Sequence, residues 1–315
     1  MKYVKEMRSG LKLSALTLGT WVHGGESWGG SDEKDSLHAI QAAFDLGVTC
    51  IDTAPVYGRG LAETLVGRAT QGRRDRVIIA TKCGLITEGR RVMISLKAAS
   101  IRSEAEESLR RLGTDYIDVY QCHWPDPKTP LEETMSAMRK LQEEGKIRDI
   151  GVCNFSLAQL KEAMEYAEIF SAQNQFSVLT RDIAGDILPF CRSQGVAVFS
   201  YGALGGGILT GKYAMPPVLD KADARSFFYK FYSGEPFRKA QSALEAFRKI
   251  GRPPQQIAVN WVRQQPGVSS VIVGCRTARQ VDDNMGAADW DLSKEDMETI
   301  TALSAFTEDH GLARG

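Results

Sequence analysis

The sequence predicts an α/β chain: a parallel (β/α)8 barrel of the TIM type, preceded by an N-terminal β-hairpin. Three observations carry this. Short, largely apolar runs alternate with longer segments of helical period, and the alternation persists from residue 15 almost to the end of the 315 residues. Eight such runs can be counted, and eight parallel β units separated by helices close into a barrel. The first run ends in Leu18-Gly19-Thr20-Trp21 and lacks the G-x-G-x-x-G turn that an open doubly wound dinucleotide sheet would place there.

The hairpin is read from Ser9-Gly10, which separates two short segments within residues 1–13. Strand signals then fall at 15–18, 50–52, 77–82, 116–122, 149–153, 171–175, 196–201 and 270–273. The amphipathic segments between them include 35–46, 101–112, 131–144, 157–168 and 187–194. Ser156 is a start signal, because its hydroxyl can accept from the first free amides of a helix; Gly145 and Gly195 are stop signals. Residues 212–236, after the seventh strand, depart from the rhythm. They carry Pro216-Pro217 and then Phe227, Phe228, Tyr229, Phe231 and Tyr232. A loop that long and that aromatic reads as a packed lid. No shift in composition marks a boundary, so 1–315 is read as one domain.

Lys plus Arg and Asp plus Glu are both 39, so no net field draws the chain to nucleic acid or an anionic membrane. No basic, apolar signal segment opens the sequence, and no apolar run approaches the roughly 20 residues that span a bilayer. A soluble, cytoplasmic protein is expected. Cys50, Cys83, Cys122, Cys153, Cys191 and Cys275 are scattered and lie mostly in apolar runs, which suits small buried residues better than a disulfide framework. His23, His38, His123 and His310 show no metal-ligand spacing, and no metal is expected.

In a barrel of this type the chemistry belongs at the C-terminal strand ends. Those positions give Trp21 after the first strand, Asp52 and Tyr57 after the second, Lys82 at the third and His123 after the fourth. Each also has an ordinary explanation: Lys82 as a rim lysine paired with Asp52, Tyr57 as a half-buried loop aromatic, His123 as a hydrogen-bonded neighbour of Trp124. It is their arrival at successive strand ends that argues for one pocket. There Asp52 and Lys82 can act on a phenol whose ordinary pKa is about 10.

Asp52, Tyr57, Lys82 and His123, in that order and spacing, resemble the catalytic tetrad of the aldo-keto reductases. The resemblance covers nearly the whole chain. Asp52-Thr53-Ala54-Pro55-Val56-Tyr57-Gly58, with Glu63 and Gly67, is similar to the family's first signature. The runs 116–126, 145–155 and 271–284 are similar to its fourth-strand, fifth-strand and C-terminal cofactor segments. The resemblance implies an NADP(H)-dependent oxidoreductase that reduces an aldehyde or ketone. Tyr57 would be the general acid, Lys82 would lower its pKa, Asp52 would hold Lys82, and His123 would orient the carbonyl. Trp21, Tyr57, His123 and Trp124 would face the substrate.

The resemblance further implies a nicotinamide cofactor held extended across the barrel mouth. Thr20, Trp21, Asp52, Cys153, Asn154, Gln175 and Tyr201 would hold its nicotinamide half. Gly202, Leu204, Gly207, Leu209, Gly211 and Lys212 would wrap the pyrophosphate, and Gly274, Arg276, Gln280 and Asn284 the adenosine end. The family usually has Ser-Asn where Cys153-Asn154 stands, and a thiol is the weaker donor. Two alternatives stay open at this stage. One is a nicotinamide-binding regulatory subunit with slow turnover; the other is a sugar or alcohol dehydrogenase with tightly held cofactor.

Overall fold

The computed structural model describes residues 1–7, 10–25, 30–89, 91–220 and 223–303. Ser9, His310 and the ring of Phe227 lie outside the described residues. Among the described residues, the N-terminal strands β1 (Tyr3–Glu6) and β2 (Lys12–Ser14) pair antiparallel. Eight parallel strands then form the closed barrel: β3 (Leu16–Gly19), β4 (Cys50–Asp52), β5 (Ile78–Cys83), β8 (Ile117–Cys122), β9 (Ile147–Cys153), β10 (Ile169–Gln175), β11 (Ala197–Tyr201) and β12 (Val268–Gly274). This is the (β/α)8 architecture with N-terminal hairpin that the alternation predicted.

The hairpin packs against the barrel interior. Met7 and Leu13 share an apolar cluster with Cys50, Ile78, Ala80, Val119, Ala197, Phe199 and Ile272. Cys50, Ile78, Ala80 and Val119 alternate along their strands with residues that face the helices, as the twofold period of a strand requires. The larger core lies between the strands and the outer helices α1 (Glu33–Asp45), α2 (Leu61–Ala69), α3 (Ala98–Leu112), α4 (Leu131–Glu143), α5 (Leu157–Tyr166) and α6 (Ile187–Gln194). Ser156 caps α5 with a reciprocal capping box to Gln159, and Gly195 ends α6 at φ 70°. All six cysteines are buried and free.

Two departures from the sequence reading bear on the site. A second hairpin, β6 (Leu85–Glu88) with β7 (Arg91–Ile94), follows β5 at the C-terminal ends of the barrel strands. The segment after β11 is also shorter than a 212–236 loop. Helix α7 (Arg225–Phe228) lies within it, and α8 (Gly234–Ile250) begins before 236. The chain continues through α9 (Pro254–Arg263), α10 (Ala278–Met285) and α11 (Lys294–Leu303).

Candidate active site

The register carries the rim residues to one level. Gly19 pairs with Asp52, Lys82 with Gln121, Cys153 with Gln173, and Gln175 with Tyr201. Lys82 Nζ donates to Asp52 Oδ1 at 2.6 Å, to the Thr53 carbonyl at 2.9 Å and to Tyr57 Oη at 3.4 Å. Lys82 is 0% exposed and Asp52 3%. An ammonium so buried is tolerated only where acceptors surround it. Burial works against its charge, but Asp52 and Tyr57 outweigh burial and hold the Lys82 pKa above the ordinary lysine value.

Burial also pushes the Tyr57 phenol up to about 12, with Lys82 the main opposing influence. The lysine alone would lower the phenol, as the sequence predicts; burial reverses that direction. A phenolate loses hydration in this position, and that loss exceeds the attraction of the nearby ammonium. Burial and then Lys82 hold the His123 imidazole well below its ordinary value, so the ring is neutral. It meets the Tyr57 ring edge-on, with centroids 6.0 Å apart.

Trp21 stacks on the other side of Tyr57, centroids 5.9 Å apart at 18°. A close backbone approach holds the two loops together: a Cβ on Gly24 would lie 2.6 Å from Gly58 N, so only glycine fits there. Thr20 is tied down by donating from N and Oγ1 to the Asp52 carbonyl, each at 2.9 Å. Trp124 lies half-buried next to His123.

Sequence reasoning missed what lies beneath. Gln173 Nε2 donates to Asp52 Oδ2 at 2.7 Å, and Gln121 Nε2 approaches the same oxygen at 3.5 Å. The Cys153 thiol faces Gln173 Oε1 at 3.5 Å, and Asn154 Nδ2 donates to the His123 carbonyl at 3.0 Å. Tyr201 Oη donates to Asn154 Oδ1 at 2.7 Å. Gln175, two residues further up β10, lies beside Gly202 instead. The buried polar cluster therefore holds Gln173 and Gln121, while Gln175 stays at the rim. The available signal was only the Gln-Asn-Gln run of 173–175.

The residues present fit a dinucleotide. Gly205, Gly206 and Gly207 have successive positive φ of 56°, 70° and 98°, a run without side chains that lets a ligand approach the backbone closely, although the Gly205 and Gly207 amides donate to the Gly202 and Leu204 carbonyls. A Cβ on Gly206 would lie 2.5 Å from Tyr232 Oη, while Lys212 Nζ stands beside Gly207 and over the Tyr213 ring at 4.8 Å. Tyr232 Oη donates to the Gly206 carbonyl at 2.7 Å. Arg225 makes a forked pair with Asp223 and donates to Tyr213 Oη at 3.1 Å. Burial and then Arg225 lower the Arg276 pKa, while Asp223 and Tyr213 oppose them, so both guanidiniums share one neighbourhood.

The remaining predicted contacts are placed less evenly. Leu204 precedes the 205–210 turn that holds the glycine run, and Gly211 ends that turn at φ 76°. The Leu209 side chain is buried in the outer core, leaving only its backbone to face a ligand. Gly274 pairs with Gly19, and Gln280 Oε1 accepts from Arg276 N at 2.8 Å. Asn284 is buried and donates to Cys275 Sγ at 3.3 Å. Among the described residues, no group of three His, Cys, Asp or Glu could hold a metal, and no helix is long and apolar enough to cross a membrane.

A closed parallel barrel with this Asp–Lys–Tyr–His cluster at its mouth defines a class, the (β/α)8 oxidoreductases that use a nicotinamide. The model of the aldo/keto reductase family matches residues 15–305, and the chain belongs to that family. It is 38% identical to the aldo-keto reductase YhdN of Bacillus subtilis, over 96% of this chain and 93% of that one. It is 33% identical to the NADH-specific methylglyoxal reductase of Escherichia coli, over 98% and 100%. The solved glycerol dehydrogenase of Gluconobacter oxydans is 36% identical and superposes with a TM-score of 0.85 over 98% of each chain. The aldo-keto reductase of Bacillus halodurans in its holo form is 29% identical, with a TM-score of 0.81 over 98% and 99%.

Proposed function

We propose that this oxidoreductase reduces an aldehyde or ketone to an alcohol with NADP(H), using Tyr57 as general acid. The observation that carries the reading is Lys82 Nζ, 2.6 Å from Asp52 Oδ1 and 3.4 Å from Tyr57 Oη inside the barrel mouth. A bound nicotinamide supplies hydride to the carbonyl carbon. The carbonyl oxygen then needs a proton, and Tyr57 Oη, protonated at neutral pH, is placed to give it. Lys82 favours the phenolate left behind, and Asp52 keeps Lys82 charged and in place. The neutral His123 offers an N–H to the oxygen as negative charge develops. Gln175, half-buried at the end of β10, and Asn154 suit the nicotinamide carboxamide, Tyr201 its ring, the 205–207 glycines with Lys212 the pyrophosphate, and the 212–233 segment would close over them as a lid.

The preference for NADP(H) rests on Arg276 and Arg225, two guanidiniums near one carboxylate, which suit a 2′-phosphate. The Escherichia coli relative is NADH-specific, so this preference needs its own measurement. The likeness to a glycerol dehydrogenase favours one second reading, the same site run toward oxidation of an alcohol.

The test is turnover of purified protein with NADPH and with NADH on a panel of aldehydes and ketones, and with NADP⁺ on glycerol and sugar alcohols. Reduction with NADPH is expected. Oxidation alone, with nicotinamide retained through purification, would favour the second reading. Cofactor binding without turnover in either direction would leave a regulatory subunit.

A further inference from the structure

Six residues form a closed circuit around the barrel mouth, its last link made to the His123 backbone carbonyl. The His123 and Tyr57 rings meet edge-on at 6.0 Å, Tyr57 stacks on Trp21 at 5.9 Å, and Trp21 meets Phe228 edge-on at 5.1 Å. Phe228 reaches Tyr201 at 6.3 Å, Tyr201 Oη donates to Asn154 at 2.7 Å, and Asn154 Nδ2 donates back to the His123 carbonyl at 3.0 Å. Five of the six stand at barrel strand ends or on the loops that follow them. Phe228 alone comes from α7, and it fills the seam between Trp21 and Tyr201 that the barrel leaves open.

We infer that Phe228 is a specificity-determining residue: it bounds the carbonyl site across the circuit from His123 and restricts substrates to small, uncharged aldehydes and ketones. This rests on the carbonyl-reductase reading. The circuit consists of aromatic rings, one amide and a neutral imidazole, so it offers a charged substrate no partner at the level of the carbonyl. The Phe228 ring is backed by Tyr229, edge-on at 5.2 Å, and Tyr229 is only 6% exposed. It therefore cannot swing outward without moving buried neighbours, and bulk beyond the carbonyl meets a supported wall.

The experiment compares propanal with cyclohexanecarboxaldehyde, the same functional group with and without bulk beside it. One methylene in an apolar pocket is worth about 10- to 200-fold in kcat/KM. Phe228→Ala is therefore expected to raise the ratio of kcat/KM, bulky over small, by at least about tenfold, with Phe228→Leu in between. Phe228→Leu keeps an apolar filler, so it gives a result even where the alanine variant folds poorly. Both aldehydes are assayed at saturating NADPH, with NADPH affinity followed by fluorescence titration in parallel, so that any loss of cofactor binding from this lid residue cancels from the substrate ratio. An unchanged ratio in Phe228→Leu and in any folded Phe228→Ala overturns the inference alone. Wild-type protein that reduces neither aldehyde overturns the carbonyl-reductase reading and the inference with it.

Discussion

Gln173 and Asp52, 121 residues apart in the chain, meet at 2.7 Å in the barrel interior. The contact fixes the second carboxylate oxygen while Lys82 takes the first. Gln173→Leu keeps the volume and removes the donor, so Asp52 loses its short partner. Leaving a buried acceptor unsatisfied costs about 1–3 kcal/mol of stability. If about 1.4 kcal/mol of that is lost in the transition state, kcat falls about tenfold. Thermal unfolding and steady-state kinetics check both, and a variant unchanged in each would show that the bond does not position the tetrad.

Tyr57→Phe keeps the ring between Trp21 and His123 and removes the acidic proton. General acid catalysis is worth about 10² to 10⁴ in rate, so kcat should fall by that order while NADPH affinity barely moves. Lys82→Met should cost similarly in rate. It should also cost about 3–5 kcal/mol of stability, because Asp52 would be left buried without its cation. The double variant should be little slower than either single one, since residues acting as a unit are not additive. A Tyr57→Phe enzyme that retains most of its activity would refute the acid assignment.

Arg276→Ala should lower the preference for NADPH over NADH. A hydrogen bond to a charged group is worth about 1.5–3 kcal/mol, roughly a ten- to hundredfold change in the ratio of kcat/KM values. Arg225→Ala should act in the same direction through the lid. A ratio unaltered by both substitutions would place the 2′-phosphate elsewhere or show that NADH is the working cofactor.

The 212–233 segment is expected to close on the dinucleotide, because Tyr232 ties its end to the glycine run while the Arg225–Tyr213 bond braces it from within. Limited proteolysis within it should slow when NADPH is added. Equal cutting with and without NADPH would mean that the segment does not close over the cofactor.

His23 gives a pH signature. Its side chain is fully buried, both ring nitrogens lack a hydrogen-bond partner, and burial with a smaller push from Arg276 lowers its pKa to about 4. The unfolded chain binds that proton near pH 6.5, so between 6.5 and 4 it binds more protons than the fold. Stability should therefore fall as pH falls through that window, by about 3 kcal/mol from His23. Glu104 acts oppositely. Burial raises its pKa to about 7, so its contribution is lost as pH rises toward that value. Comparing wild type with His23→Leu across pH isolates the histidine. Parallel stability curves for the two proteins would show that His23 is not held neutral.

The barrel and the meeting of Asp52, Tyr57, Lys82 and His123 at its mouth were legible in the sequence because both follow from local facts. Alternation of apolar runs with helical periods depends on neighbours within a few residues, and a strand end is marked where its run stops, as at Asp52 and Lys82. Ser156 and Gly195 acted as start and stop signals for the same reason. The β6–β7 hairpin was not read, because two four-residue strands around Gly89 give too short a pattern to stand out from loop.

Depth, contact between distant strands and ionisation were decided only by the tertiary structure. Gln173 and Gln175 share one face of β10, so strand period cannot rank them; pairing of Gln173 with Cys153 sets which one reaches Asp52. Phe228 reaches Trp21 and Tyr201 only because α7 folds back across the barrel mouth. The sequence also named the charge beside Tyr57 but not how dry the phenol would be. Desolvation depends on everything packed around a group, and here it outweighs the single nearby ammonium that the sequence could identify.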